Sequence, residues 1–599
     1  MKQLFIQLFL MVAVGAMAAP MSSPNGKITV TVDGHALKVC YEKQQVLDIA
    51  EAGVDAIATI TLTQRIKTDY QMLTGKRSHC TNEANEYQIG TTVLRVYNDG
   101  IAFRTSSISP QPSIAYRIPE GTRRWMQQWC DSYEGFFPLS TTYKVAPVPS
   151  YSGTFKSAEG WNNRWGYPAL LEPVDGTFVL ISEANIEHGQ SASCLYNDGE
   201  LFKVVEAEHV AGEISDHTPW RVAIIGKLAD VVESTLITDV SDACKIADTS
   251  WIQPGVVSWI YWAYNHGSND YNIIKKYVDM AETLRLPYVL IDAEWDEMDK
   301  VASNEGKTIE DAINYAKSKG VKPLIWYNSS IGWVDGAPTP KYRLNKPEDR
   351  EKEFAWLEKM GVAGVKIDFF SGDNQRNMDF QLDLLESAAR HYLLVNFHGA
   401  TIPRGWQRTW PNLMSTEGVY GAEWYNNVAT FTNKAACHNA TLPFTRNVIG
   451  PMDYTPCTFS DSQHPHITTH GHELALTVLF ESALQHLADR PESYLAQPKE
   501  VQQFLSTLPA AWDETRFIAG YPGEYVIMAR RSGNKWYLAG INGTDSVKEV
   551  ALNFKGNNVT LLTDEPGKDH TWRIEKQKKL PKSFVFQPRG GFCYIWEIR

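Results

Sequence analysis

Gly361-Val-Ala-Gly-Val-Lys-Ile-Asp-Phe-Phe370 is the stretch on which the fold turns. Val365, Ile367 and Phe369 alternate with Lys366, Asp368 and Phe370, the two-residue period of a strand. Segments of helical character flank it, roughly 347–360 ahead and 374–392 behind. An apolar strand between two helices belongs in a parallel sheet covered by helices. Such a strand rarely carries charge, yet Lys366 and Asp368 stand at its C-terminal end, which in a β/α barrel is the catalytic face. From this segment alone, Asp368 could equally cap the next helix or pair with Lys366.

Working outward, the alternation continues in both directions. Val256 to Trp262 reads as a strand, Tyr271 to Leu286 as a helix, Tyr288-Val-Leu-Ile-Asp292 as a strand and Thr308 to Lys319 as a helix. Pro323 to Tyr327 is the next strand, and Leu393 to His398 and Leu413 to Glu417 extend the series beyond Phe370. Glu473 to Asp489 reads as a helix merging into a last barrel element. Repeated βα units of this length predict a (β/α)8 TIM barrel, with a doubly wound open sheet as the alternative. No GxGxxG follows the first strand, so the dinucleotide fingerprint is absent. Successive strands end at Asp292, Trp326, Asp368, Asn396 with His398, and Glu417. Any one could be a helix cap or a satisfied core group; together they converge on one mouth. That mouth has no Ser-His-Asp arrangement and no HExxH. Paired carboxylates with aromatic walls fit glycoside hydrolysis, in which one carboxyl protonates the leaving oxygen and another attacks carbon or activates water.

The flanks differ in texture. Residues 1–19 pair Lys2 and an apolar run with small residues ending Ala16-Met-Ala-Ala-Pro20, the pattern of a signal peptide for an exported, periplasmic protein without a lipid anchor. From Ser22 to about Asp239 short strands such as Lys27-Ile-Thr-Val-Thr-Val32 and Trp220-Arg-Val-Ala-Ile-Ile225 predict a large antiparallel sandwich. Within it, Ile181-Ser-Glu-Ala-Asn-Ile-Glu187 sets two carboxylates just past an apolar strand: an exposed acidic loop, or a metal ligand reaching another domain. After about Thr515 strands return as a small antiparallel β domain. The expected boundaries are 20–245, 246–512 and 513–599. A net charge of -12 without a basic block argues against nucleic acid and anionic membranes. No later stretch reads as a transmembrane helix, so stable membrane insertion is not expected. Eight scattered cysteines without CxxC pairs fit neither a zinc site nor a compact disulfide scaffold, though some could pair after export. The 19 Trp, 27 Tyr and 23 Phe suit a carbohydrate protein, whose ligands stack C–H faces on rings, and equally a large β-rich core.

Taken jointly, Gly364-Val-Lys-Ile-Asp-Phe-Phe370, the loop Thr416-Glu-Gly-Val-Tyr-Gly-Ala-Glu-Trp424, Gly450-Pro-Met-Asp-Tyr-Thr-Pro456 and Glu481-Ser-Ala-Leu-Gln-His-Leu-Ala-Asp489 resemble glycoside hydrolase family 97 over essentially the whole mature chain. The resemblance implies an N-terminal β-supersandwich, a catalytic barrel, a C-terminal β domain, bound calcium and exo-acting α-glycosidase activity. The family's inverting branch places a base just after a histidine at the end of the fifth strand; here that pair is His398-Gly399. The retaining, α-galactoside-active branch uses an aspartate at the end of the fourth strand, matched by Asp368. By the same resemblance Glu423 is the acid/base, Glu417 and Glu423 hold calcium, and Glu183 is the calcium ligand of the N-terminal domain. Asp292, Trp326, Lys366, Asn396 and His398 are expected to bind the sugar. An oligosaccharide or glycan with a terminal α-linked sugar is the expected partner, and the chain is expected to be a monomer. The runners-up are an α-glucosidase, a pentopyranoside-active α-glycosidase, and a non-catalytic glycan-binding protein on a degenerate barrel.

Overall fold

Gly364–Asp368 lies inside a seven-stranded parallel sheet whose other members are Gly255–Trp259, Tyr288–Ile291, Lys322–Asn328, Leu394–Phe397, Leu413–Thr416 and Leu484–Leu487. This computed structural model describes residues 20–598, except 107–112, 144–162, 208–214, 263–266, 371, 426–427, 462–463 and 569; the expected signal peptide lies outside the described residues. The last strand pairs with the first, so the sheet curls into a barrel. Where an eighth strand would stand, the segment after Gly450 closes the wall irregularly. Met452 N donates to Glu481 O at 2.8 Å, and Asp453 N donates to Thr416 O at 3.1 Å. Pro451 cannot donate to a ladder, which excludes a regular central strand there. The barrel is therefore nearly closed with seven regular strands.

Alternation sorts side chains as the sequence indicates. Val365 and Ile367 face the helical layer and belong to the large core shared with it. Trp259, Leu290, Leu324, Trp326, Leu394, Met414 and Leu484 fill the barrel interior. Gly364 must be small, because a Cβ there would come within 2.8 Å of Leu394 Cβ. Helices Tyr271–Leu284, Ile309–Ser318, Pro347–Met360 and Gln375–Arg390 cover the sheet. Asp270 caps the first of them and Asn374 the last, each accepting from backbone N–H groups of the first turn. Pro347 opens the third and left-handed Gly361 ends it.

Ahead of the barrel stand an eight-stranded and a nine-stranded antiparallel sheet. After it comes a six-stranded antiparallel sheet beginning at Glu514–Tyr521, with a two-stranded ribbon. All eight cysteines are free thiols. Among the described residues no helix is long and apolar enough to cross a membrane.

The sandwich meets the barrel through a buried ionic chain. Glu183 lies within the strand Thr177–Ala184, not past its end, and is fully buried opposite Arg221. Its Oε2 accepts from Arg221 and from Ser193 Oγ (2.6 Å), and its Oε1 accepts from Ser193 N (3.0 Å) and from Arg404 Nε of the barrel (2.7 Å). Arg404 also pairs with Asp373 at 3.2 Å, which in turn accepts from Tyr133 (2.6 Å) and Trp129 (2.9 Å) of the sandwich. Removing one member of such a buried set strands the others without compensation, at about 3–5 kcal/mol. Arg404→Ala is accordingly expected to destabilise the protein by a free energy of that order, seen in calorimetry as a lower thermal transition; a transition unchanged from the parent would show that the chain does not hold the two domains together.

Candidate active site

The four strands from Lys322 to Thr416 set one layer of the mouth in register: Trp326 opposite Lys366, Lys366 opposite Asn396, and Asn396 opposite Ser415. Two residues further on, Asn328 stands opposite Asp368. Lys366 is buried in the barrel, where an ammonium survives only with partners. Asp292 Oδ2 lies 3.2 Å away, Asp368 Oδ2 lies 4.0 Å away, and the Trp259 ring centroid lies at 4.7 Å. Burial works against its charge, but these carboxylates raise its pKa above the ordinary lysine value. Trp259 Nε1 donates to Asp292 at 2.7 Å, fixing the partner in turn.

Asp368 is buried. Its Oδ2 accepts from Trp326 Nε1 at 3.1 Å, and its Oδ1 accepts from Phe369 N at 2.8 Å. Burial raises its pKa, opposed by Lys366, His398 and the Trp326 donor. Gly399 sits directly against it: a Cβ there would meet Phe369 N at 2.9 Å and Asp368 Oδ1 at 3.1 Å, in a backbone of φ +49. A side chain at 399 would crowd the present Asp368 and force the Phe369 backbone to shift.

Across the mouth, Glu423 accepts from Trp262 Nε1 at 3.1 Å, and its backbone carbonyl accepts from the Tyr261 hydroxyl. Its pKa is pushed well above the carboxylate range by burial and then by the charge of Glu417. Glu417 goes the other way. Although burial opposes it, His398 and the Gly399 N–H (2.6 Å) hold it at about 2. The two carboxyls of one buried pair are thus pushed in opposite directions, Glu423 towards its acid form and Glu417 towards its ionised form, the asymmetry that general acid catalysis needs.

His398 lies between Glu417 (3.4 Å) and Asp453 (2.7 Å). Against burial and Lys366, these carboxylates raise its pKa well above the usual imidazole value. Asn396 donates to the same Asp453 oxygen at 2.6 Å, and His486 approaches it at 2.9 Å. Asp453 thus ties three barrel elements together, although it stood in the quoted Gly450–Pro456 motif without a role; it lies off the strand ladder, where alternation gives no signal.

Asp292, Trp326, Lys366, Asp368, Asn396, His398, Glu417 and Glu423 all gather in this mouth, while Glu183 does not. Its oxygens are taken by Arg221, Arg404 and Ser193, so its charge is neutralised without an ion. The sandwich sends Glu134 instead. This buried residue accepts from Trp424 Nε1 at 2.8 Å, and its pKa is raised well above normal by burial and then by Glu417. Nothing in the loop sequence around Glu134 marks it. His398, Glu417 and Glu423 offer ligand atoms within 4.8 Å of one another, the one such group among the described residues.

Comparison with known proteins agrees along the whole chain. The Glycoside hydrolase 97 family model matches residues 251–419, Glycosyl-hydrolase 97 N-terminal matches 21–243, and Glycosyl-hydrolase 97 C-terminal, oligomerisation matches 511–596. The last description runs against a monomer. A probable retaining alpha-galactosidase of Streptomyces bingchenggensis (strain BCW-1) is 36% identical over 516 residues, covering 83% of this chain and 73% of that protein. A retaining alpha-galactosidase of Bacteroides thetaiotaomicron is 26% identical over 584 residues, covering 84% and 82%. The crystal structure of a beta-arabinopyranosidase superposes with a TM-score of 0.83 at 26% identity, covering 97% of this chain and 100% of that one.

The tight fit at Gly399 is testable. Gly399→Ala must displace Asp368 or the Phe369 backbone by a few tenths of an ångström and adds backbone strain at φ +49. Since a misplacement of about 1 Å costs on the order of 100-fold in rate, a loss of up to about that size is expected. The variant should keep its circular dichroism spectrum and lose kcat far more than it changes KM on an aryl glycoside. Wild-type kcat in this variant would mean that Asp368 is not confined.

Proposed function

The chain belongs to glycoside hydrolase family 97, and from that premise we propose that it is an exo-acting retaining α-galactosidase with Asp368 as nucleophile and Glu423 as acid/base. The observation that carries this reading is the contact between Gly399 and Asp368: the position from which an inverting enzyme would direct its base is a glycine packed on the nucleophile. The opposed pKa shifts of Glu423 and Glu417 support the assignment of the acid. A non-catalytic barrel would be expected to have lost one of the two carboxyls, and both are kept.

The mechanism is a double displacement. The ionised Asp368 attacks the anomeric carbon, forming a glycosyl ester, while Glu423 gives its proton to the departing glycosidic oxygen. Glu423, now a carboxylate, takes a proton from water. The hydroxide oxygen bonds to the anomeric carbon, the ester bond breaks, and the electron pair returns to Asp368. Two inversions give net retention, and they need the carboxyls about 5–5.5 Å apart. Trp326 and Lys366 hold the Asp368 charge until it attacks and receive it again when the ester breaks. Asp292, Lys366 and Asn396 offer groups to the sugar hydroxyls; Asn396 Oδ1 is buried and unpaired, a free acceptor on the floor of the mouth. His398 is held beneath them by Asp453.

Calcium fits the donor set of Glu417 and Glu423, with Glu134 in place of Glu183 from the sandwich. Burial and then the Glu417 charge raise the pKa of Glu134 and of Glu423 well above the carboxylate range, and a hard dication held by Glu417 and Glu134 would relieve that crowding with oxygen ligands alone. Glu423, which spends a proton in the first step, would stand beside the ion without being ionised by it. His398 is engaged by carboxylates on both nitrogens and is not needed as a ligand. When bound, the ion supplies positive charge to the crowded carboxylates. Glu134 and Trp424 carry the sandwich side of that arrangement.

A second reading is favoured by the similarity to the beta-arabinopyranosidase. L-Arabinopyranose has the ring hydroxyls of D-galactose without the exocyclic C6 group, so a few contacts decide between them. A panel of aryl α-galactoside, β-L-arabinopyranoside and α-glucoside separates the readings, with the galactoside expected to lead. Followed by NMR, its first-formed product should be the α anomer, and initial β product would sink the mechanism. Asp368→Gly should lose hydrolysis and regain turnover with azide, yielding the β-glycosyl azide.

The metal assignment has its own test. Calcium should raise the thermal transition of the wild-type protein and of Glu183→Gln, but not of Glu134→Gln, because only ligands of the native site link binding to stability. A calcium shift preserved in Glu134→Gln would remove Glu134 from the site.

A further inference from the structure

Trp333 is 50% exposed on the loop after the third barrel strand. A lone exposed aromatic is ordinary, and what sets this one apart is how firmly it is held beside Asp368. Its position is fixed. Nε1 donates to Asp335 O at 2.8 Å, and its own carbonyl accepts from Asn328 Nδ2 at 3.2 Å. Asn328 is the cross-strand partner of Asp368. The Trp333 ring meets Phe369 edge-on at 4.8 Å, and Phe369 meets Trp326, the donor to Asp368, at 5.7 Å. Ser329 N donates to Asp368 O and Ser329 Oγ to Phe369 O, both at 2.8 Å. Gly332 allows this close packing, since a Cβ there would collide with the Phe369 carbonyl oxygen. The loop bearing Trp333 is thus pinned to the carbonyls of Asp368 and of Phe369 that follows it, while about half of the tryptophan remains open to solvent. Tyr342, 58% exposed, lies on the same loop, its N–H bonded to Ser330 Oγ at 2.7 Å.

A rigid, half-exposed indole loses little freedom on binding and offers a flat apolar face, the complement of the C–H face of a pyranose. We propose that Trp333 is the platform of a further sugar subsite on the rim, taking a pyranose unit of the glycan beyond the one that is cleaved. The proposal rests on the glycoside hydrolase reading but not on which terminal sugar is removed.

The test compares two substrates ending in the same sugar, an aryl monoglycoside and a trisaccharide. In Trp333→Ala the ratio of kcat/KM for the trisaccharide to that for the aryl glycoside should fall about tenfold, through KM, the size of one aromatic contact near 1.4 kcal/mol. Trp333→Phe should restore most of it. An unchanged ratio would overturn the subsite, whether because the ring only packs or because it serves a protein partner; an equal loss on both substrates would make Trp333 a structural prop of Asp368. If the aryl α-galactoside is not turned over by the wild type, the α-galactosidase reading fails on its own. The comparison then runs on whichever aryl glycoside is hydrolysed.

Discussion

Lys366 is an ammonium in the interior of a parallel barrel, and much of the mouth follows from keeping it charged. Burial alone would strip its proton, so carboxylates must stand within reach, and Asp292 and Asp368 do. The arrangement benefits Asp368 in return, because a buried carboxylate has the opposite problem. The same exchange recurs across the mouth, where His398 is held cationic by Glu417 and Asp453 and holds Glu417 ionised. Positive and negative charges alternate, and Glu423 is the carboxyl at the end of the chain left without a cation close enough to ionise it.

That alternation divides the chemical roles. Two carboxyls in similar burial are driven apart by their neighbours, Glu423 upward and Glu417 downward, which is what the proposed division into acid and ionised companion draws on. Trp262 and Trp424 pack edge-on at 5.3 Å beside the acid, and each donates its N–H to a carboxyl, Trp262 to Glu423 and Trp424 to Glu134. The sandwich is therefore part of the site. Its buried Glu183–Arg404–Asp373 chain fixes the interface, and Glu134 enters the mouth from that fixed base.

The alternation of strands and helices, the inward and outward faces of Gly364–Asp368, and the carboxyls at the strand ends were all legible in the sequence. They are local properties: a two-residue period places Lys366 and Asp368 on one face whatever the rest of the chain does. The absence of a side chain at Gly399 is also a fact of sequence, and it is what the proposed retaining geometry was read from. Glu183 and Glu134 were not separable in this way. Both lie among strands and loops of the sandwich and both touch the barrel, and which one enters the mouth depends on contacts across some 200 residues or more, such as Arg404 with Glu183 and Trp424 with Glu134. Asp453 was hidden for the same reason, since its segment is joined to the wall by backbone bonds to Thr416 at a strand end and to Glu481 ahead of the last strand, and has no period of its own. Sequence by itself thus determined what repeats along the chain, because periodic side-chain placement follows from backbone geometry. Only the tertiary structure decided which irregular segments converge, because their positions are set by packing and charge pairing between residues far apart in the chain.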